Sequence, residues 1–374
     1  MKRRSLLAAS VVLALSTTLA ACGSGSGAKE TAGGVDAATA TSAMDFGSME
    51  ELVAAAQKEG GLNVIALPDD WANYGAVITG FEDKYDIDVN SANPNASSAE
   101  EIQAAVNQKG QSTAPDVFDL GAAVALANTD KFAPYKVATW DSIPEGNKHP
   151  DGLWVNNYTG IMSVGYDSSK VPEPKDLDGL LGADYKGAVA LNGDPTQAGA
   201  AFAAMGTIST LAGGSVADFA PGIDWMGKLK AAGNFLTVDP TPATIASGET
   251  PVVFDWSFNN EAAATGNPKF KTTILPGAAY VSFYNEAVNA DAPHPAAARL
   301  WQEWIFSDDA QKLFMEGNSV PVRVDALKES GSVDEALLQK TTFGTTSEDW
   351  VSPNETETEA ANKLLGERWA ELTQ

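Results

Sequence analysis

One cysteine and two histidines in 374 residues leave little room for sulfur or imidazole chemistry. A single Cys can close no disulfide within the chain and build no cysteine-ligated zinc site. Basic residues are scarce too: 24 Lys and Arg stand against 49 Asp and Glu, for a formal charge of -25. After Arg4 the only arginines are Arg299, Arg323 and Arg368. A nucleic-acid surface needs Lys and Arg clustered against phosphate, so no nucleic-acid partner is expected. The chain has no Gly-x-Ser-x-Gly elbow, no Walker loop and no His-Glu-x-x-His. His149 and His294 lie beside prolines in loop-like sequence and read as surface residues. With so many acids, no pair of carboxylates singles out a glycosidase. What is present is 44% hydrophobic residues, enough for a sizeable core, and a length that suggests about two compact lobes.

The first thirty residues read as an address. Met1-Lys2-Arg3-Arg4 is basic, and an uncharged apolar run from Ser5 to Ala21 follows. It ends in Leu19-Ala20-Ala21-Cys22 and opens into Gly23-Ser24-Gly25-Ser26-Gly27. A basic start, a short apolar stretch and small residues at the cleavage point mark a secretory signal over residues 1–21. A membrane-spanning helix is disfavoured by the length of the run and the flexible sequence after it. Leu-Ala-Ala-Cys resembles a bacterial lipobox, which implies cleavage before Cys22 and lipid on its sulfur. Two or more acyl chains would anchor the protein durably to the membrane. Residues 22–44 then read as a lipidated tether with nothing to pack. The protein is thus expected to be exported and held on the outer face of the cell membrane.

From Ser48 onward, helix-like and strand-like segments alternate. Met49–Glu59 has helical spacing and Gly60-Gly61 stops it; Leu62–Leu67 is a short apolar strand. Ser98 with Glu101 three residues on has the form of a capping box. Asp116–Leu120 reads as a strand and Gly160–Tyr166 as a lone strand between two series of βα units. The second series runs through Ala188–Leu191, a helix over Pro195–Leu211 and the strand Val252–Phe254. Two helices, Pro295–Phe306 and Asp308–Glu316, come late in the chain, the second with Ser307 as N-cap. The pattern predicts two α/β lobes of largely parallel sheet, the first completed by the C-terminal third. The expected divisions are 45–160 for the first part of lobe 1, 161–275 for lobe 2, and 276–374 for the return to lobe 1 with C-terminal helices. Ligands of such sheets bind at the carboxyl ends of the strands, in the cleft between lobes.

The order of motifs carries a family resemblance. After the lipobox come Lys58-Glu59-Gly60-Gly61-Leu62-Asn63-Val64, then Pro295–Ile305, Ser307–Gln311 and Pro321-Val322-Arg323. Together they resemble a solute-binding lipoprotein of an ABC importer, in the branch serving polyamines, thiamine, ferric iron and 2-aminoethylphosphonate. The resemblance implies a type II periplasmic-binding-protein-like fold, hinge closure on a solute, delivery to a membrane permease and action as a monomer. It implies neither a cofactor nor catalysis. A surface sensor and a secreted carbohydrate-active enzyme are the readings of another class.

For the solute, ferric-binding relatives carry adjacent tyrosines, and no Tyr-Tyr pair occurs here. An anion would usually meet arginine forks, though helix N-termini keep a zwitterion such as aminoethylphosphonate open. A cationic amine fits better, because carboxylates and aromatic faces hold ammonium groups. Pro68-Asp69-Asp70-Trp71-Ala72-Asn73-Tyr74 follows the first strand, and its Trp-x-x-Tyr spacing is similar to the first cleft loop of polyamine-binding members. Asp70, Trp71 and Tyr74 are candidates there, although Asp70 reads equally as solvated and the two rings equally as core. Asp255 and Trp256 end the strand Val252–Trp256. A carboxylate after three apolar residues either faces ligand or pairs with a lysine; Trp256 is ligand contact or core. Asp194 before Pro195 has the pattern of an N-cap, a role compatible with lining the cleft. Tyr280 and Tyr284 lie on the segment returning to lobe 1. Asn157 and Tyr158 are hinge or ligand contacts; Trp301 and Trp304, three apart on a helix, read as packing. Thiamine is the nearest alternative to a polyamine, since its cationic ring would use the same walls.

Overall fold

A computed structural model describes residues 35–343, 345 and 350–373. The signal segment and Cys22 lie outside the described residues. Lobe 1 is built on two small sheets. Leu62–Ile65 pairs in parallel with Val89–Ala92. Val117–Leu120 runs antiparallel to Asn285–Asn289, which also pairs with Phe132–Ala133 and Val155–Asn156. Asp116 stitches the two sheets: its N–H donates to the Asn63 carbonyl (2.9 Å) and its carboxylate accepts from the Asn63 N–H (2.7 Å).

The helices Met49–Glu59, Pro295–Ile305 and Asp308–Glu316 form where the sequence pattern places them. Ser48 caps Met49–Glu59 by accepting from Glu51 N–H, Gly60 ends it in the left-handed region, and Leu52, Ala55 and Ala56 are buried. That helix packs on Pro295–Ile305. The free N–H groups of Ala296 and Ala297 donate to the Glu59 carboxylate, which complements the positive end of the second helix. Ser307 caps Asp308–Glu316 as expected.

Lobe 2 holds a four-stranded sheet in the order Phe270–Thr273, Met162–Asp167, Val252–Trp256, Val189–Leu191. Only the last pair is parallel. The α/β architecture of two lobes is as the sequence implies, but neither main sheet is largely parallel. The strands that carry the chain between lobes, Met162–Asp167 and Asn285–Asn289, enter each sheet against the direction of the βα-built strands. Each of them pairs with two or more neighbours, so the antiparallel share is large.

Two segments cross side by side between the lobes. Asn157 N–H donates to Tyr284 O (2.8 Å), and Tyr284 N–H to Tyr158 O (2.9 Å). A third strand, Val320–Pro321, pairs with Tyr158–Thr159.

Four further expectations change. Residues 35–44 are not a loose tether: Ala37, Ala40 and Ala43 are buried, and the Arg299 guanidinium donates to the carbonyls of Ala38 and Ala40. A buried guanidinium needs acceptors, and this stretch of backbone supplies them. The end of the chain does not stay on lobe 1 either. Trp350–Val351 pairs with Ala279–Tyr280, and the helix Glu355–Thr373 packs on the lobe 2 helix Ala220–Ala232. The capping box is Ser97 with Glu100, one residue earlier than expected. Ser98 and Glu101 instead turn inward, accepting from Gly121 N–H (3.0 Å) and Asp119 N–H (3.2 Å). Finally, the helix expected from Pro195 begins at Gly199.

Candidate ligand cleft

The first cleft loop owes its shape to two left-handed residues, Ala72 and Asn73. Asn tolerates that conformation, and its carboxamide donates to Leu313 O at 2.8 Å, which fixes the turn on the helix Asp308–Glu316. The turn aims Trp71 and Tyr74 at the crossing segments. Trp71 Nε1 donates to the Tyr158 hydroxyl (2.7 Å), and Tyr158 in turn donates to Asp119 Oδ2 (2.7 Å). Tyr74 donates to Glu286 Oε1 (2.8 Å), which also accepts from Asn157 Nδ2 (3.0 Å). Tyr158 lies stacked between Tyr284 and Phe314, with ring centroids 5.3 and 4.8 Å away. Trp71 meets Phe258 and Tyr284 edge-on at 5.4 and 5.7 Å.

From lobe 2, Trp256 Nε1 donates to the Tyr284 hydroxyl at 3.0 Å. Asp255 beside it is buried and, among the described residues, paired with no lysine. Its Oδ2 accepts from Asn192 Nδ2 (2.8 Å), its Oδ1 from Trp256 N–H (2.7 Å), and Asn259 Nδ2 lies 3.1 Å from both.

Between the lobes lies a cavity of about 380 Å³. Ile102 and Gly121–Val124 line it from lobe 1, Pro195–Gly199 and Phe202 from lobe 2. Trp256, Phe283 and Tyr284 add aromatic surface, and Asn362 and Gly366 come from the last helix. Among the described residues lining it, none is charged. The lobes touch where Gly121 meets Gly199. A methyl group on Gly121 would sit 3.0 Å from the Gly199 Cα, and one on Gly199 would sit 3.2 Å from the Gly121 Cα.

Of the eight candidates, Trp256 and Tyr284 line the cavity, and Trp71 packs directly on Tyr284. Tyr74 is fully buried behind them, and Asp255 sits behind Trp256. Asp70 is exposed to solvent. Asp194 is exposed at the rim and caps a turn rather than the helix: its Oδ1 accepts the N–H and hydroxyl of Thr196. Tyr280 packs against Gly206, away from the cavity. Sequence reasoning missed Asp119, Glu286 and Glu101. A carboxylate inside an apolar strand, Val117-Phe118-Asp119-Leu120, is the same signal that picked out Asp255.

Burial governs the protonation of these acids. It pushes Asp255 up to about 6 against the hydrogen bonds from Asn192, Asn259 and Trp256. Asp119 is raised to about 7, again by burial, with the Tyr158 and Tyr74 hydroxyls pulling the other way. Glu101 and Glu286 are raised well above the ordinary range by burial and by the neighbouring Asp119 charge. None of the four forms an ion pair with Lys or Arg among the described residues. The arginines are engaged elsewhere: Arg299 with backbone carbonyls, Arg323 with Ser142, Phe306 O and Asp308, and Arg368 with Asp224. His294 does have a carboxylate partner, Asp116, with Nδ1 and Oδ2 2.8 Å apart. That pair sits at the far end of the strand Val117–Leu120 from the cavity and ties loop to sheet.

The same fold recurs in solved structures. AfuA from Actinobacillus pleuropneumoniae, with fructose-6-phosphate bound, superposes with a TM-score of 0.66 at 15% identity, over 83% of this chain and 98% of its own. A putative spermidine/putrescine ABC transporter protein from Listeria monocytogenes gives 0.62 at 13%, over 83% and 99%. Iron-bound HitA from Pseudomonas aeruginosa gives 0.60 at 18%, over 84% and 99%. No curated protein sequence matches the chain. The model of one family, bacterial extracellular solute-binding proteins, matches residues 112–351. That stretch runs from the third strand of lobe 1 through all of lobe 2 and back, so it takes in both walls of the cleft. The chain therefore belongs to the bacterial extracellular solute-binding proteins, the kinship its motif order implies.

Proposed function

We propose that this protein captures a small cationic organic solute, a polyamine such as putrescine or spermidine, between its lobes and delivers it to the permease of an ABC importer. In this reading it is exported, anchored through a lipid on Cys22, and a receptor rather than an enzyme. One observation carries the choice of solute: aromatic walls are backed by buried carboxylates without basic partners among the described residues, while the three arginines among those residues are engaged by other groups and none lines the cavity. A cation entering such a cleft meets aromatic faces and, behind Trp256, the Asp255 carboxylate, raised only to about 6 and so ionised at neutral pH, with little water to screen it. A phosphate or phosphonate would meet the same field with the opposite sign and no guanidinium fork. The neighbours of the same fold include the putative spermidine/putrescine ABC transporter protein of Listeria monocytogenes.

Thiamine is the second reading, favoured by the rings of Phe202, Trp256, Phe283 and Tyr284 on one cavity. These offer a flat heteroaromatic cation more stacking surface than a thin amine chain needs. The test is a thermal-shift panel on protein unfolded and refolded to strip bound solute, with putrescine, spermidine, thiamine and 2-aminoethylphosphonate. At 100 times its Kd a solute adds about 2.7 kcal/mol of stability. A rise with the amines or thiamine, and none with the phosphonate, is the expected result. A rise with the phosphonate alone would overturn the cationic reading and keep the receptor.

A further inference from the structure

The last helix, Glu355–Thr373, follows the residues matched by the family model yet shapes the cleft. It touches both lobes. Ala361, Leu365 and Trp369, at successive turns, are buried. The helix packs on Ala220–Ala232 of lobe 2 and on Ala122–Leu126 of lobe 1. On lobe 2 it is fastened by Arg368 Nη2 to Asp224 Oδ1 (2.6 Å), by Lys230 Nζ to Leu372 O (2.6 Å), and by Trp369 edge-on to Phe235. The Ala122–Leu126 helix starts at Gly121, the point where lobe 1 meets Gly199 of lobe 2. The strap therefore crosses the cleft beside the interlobe contact.

Its inner face has two further features. Asn362 and Gly366, one turn apart, line the cavity. Gly366 is mid-helix, where glycine is among the poorest helix formers, and exposed. A methyl group there would meet no atom within 4 Å. The glycine leaves open space toward the cavity. The Asn362 carboxamide, half-buried beside it, makes no hydrogen bond among the described residues. It offers a donor and an acceptor together.

We propose that the Glu355–Thr373 helix is a strap joining the two lobes across the cleft, with Asn362 and Gly366 as its solute-facing residues. The strap limits how far the lobes part, and the pair sets which polar end of a solute the third wall accepts. The strap follows from packing alone; only the probes for its inner face rest on the solute reading above.

The test uses the full chain with Cys22→Ser and spin labels on cysteines introduced at the exposed positions Lys58, on lobe 1, and Ala262, on lobe 2. With no solute added, Leu365→Asp should shift the interlobe distance distribution to longer values and broaden it. Arg368→Asp, which touches only an exposed ion pair, should move it the same way by less, and adding Asp224→Arg should reverse that. Unchanged distributions in both Leu365→Asp and Arg368→Asp would overturn the strap. Gly366→Phe should weaken whichever of putrescine, spermidine or thiamine binds the parent at least tenfold, while Gly366→Ala keeps it. Parent-like binding by Gly366→Phe would remove the helix from the site. If no amine binds the parent, the solute reading falls and the distances alone decide the strap.

Discussion

On lobe 1, Asp119, Glu101 and Glu286 are buried within one network and receive the hydroxyls of Tyr158 and Tyr74. On lobe 2, Asp255 stands alone and receives two carboxamides, from Asn192 and Asn259. A phenol brings a ring as well as a donor, so the lobe 1 acids are bound up with the aromatic stack Tyr284–Tyr158–Phe314. A carboxamide brings no ring and can rotate to meet another acceptor. Lobe 1 therefore reads as the rigid half of the cleft, where protonation, packing and the crossing segments move together. Lobe 2 carries a single charge that can respond to a solute without disturbing its sheet.

The sharpest way to break this contrast is to remove one acid from each side. Glu286→Ala leaves the Tyr74 hydroxyl and the Asn157 carboxamide buried without their acceptor, and each orphaned group costs about 1–3 kcal/mol. A loss of about 3 kcal/mol in urea unfolding is expected, with Glu286→Gln retaining most of the stability. Asp255→Ala should cost less, since Asn192 and Asn259 sit nearer solvent and can turn to water. Equal losses on the two sides would refute the distinction.

Binding should show the opposite ranking. Asp255→Asn keeps an oxygen for its neighbours and removes the lobe 2 charge, so calorimetry with the responding amine should show about tenfold weaker binding, roughly 1.4 kcal/mol, at unchanged fold. Parent-like affinity would take Asp255 out of solute recognition and leave it as a buttress for Asn192.

A smaller effect is expected at the seam between the lobes. Gly121→Ala puts a methyl 3.0 Å from the Gly199 Cα, tighter than carbon atoms normally pack, and neither backbone can yield without the lobes parting. A few-fold weaker affinity and a slightly larger radius of gyration by X-ray scattering are the expected outcomes. An unaltered radius with solute bound would mean that the seam lies open in the bound state.

How much of this was legible beforehand follows the range of each interaction. Helix ends with local signals, such as Ser48, Gly60 and Ser307, were readable because a cap is decided within four residues. The one-residue slip from Ser97 to Ser98 has a non-local cause: the second serine and Glu101 are wanted by Gly121 and Asp119, some twenty residues on. Sheet polarity failed for the same reason, since the direction of a crossing strand depends on which lobe receives it. Trp71, Trp256 and Tyr284 came from loop and strand-end positions, which a sequence does show. The same rule points to Asp194, which reaches only the rim, and to Tyr280, which packs against Gly206, because position along a strand does not reveal which way a side chain turns. The C-terminal helix was invisible as part of the cleft: its buried stripe reads as ordinary amphipathic packing, and only the fold says that the packing partners lie on two lobes.

The finest test of the contrast is a difference in pH dependence. Asp255 titrates at about 6 in the folded chain, above the ordinary value of 3.8. Between those values the native state holds a proton that the unfolded chain has released. The associated stability is complete below about pH 4 and is lost as the pH rises through 6. Asp119, raised to about 7, behaves in the same sense over a wider window. Asp255→Asn should therefore make the fall in melting temperature between pH 4 and 6 shallower and leave the fall between 6 and 7 in place, whereas Asp119→Asn should make both shallower, the remainder coming from Glu101 and Glu286. A bound cation reverses the preference, because it favours the ionised carboxylate. Amine affinity should accordingly rise from pH 5 to 7, with proton release on binding measurable by calorimetry in buffers of different ionisation enthalpy. Affinity independent of pH in the parent would show that neither wall's carboxylates sense the solute.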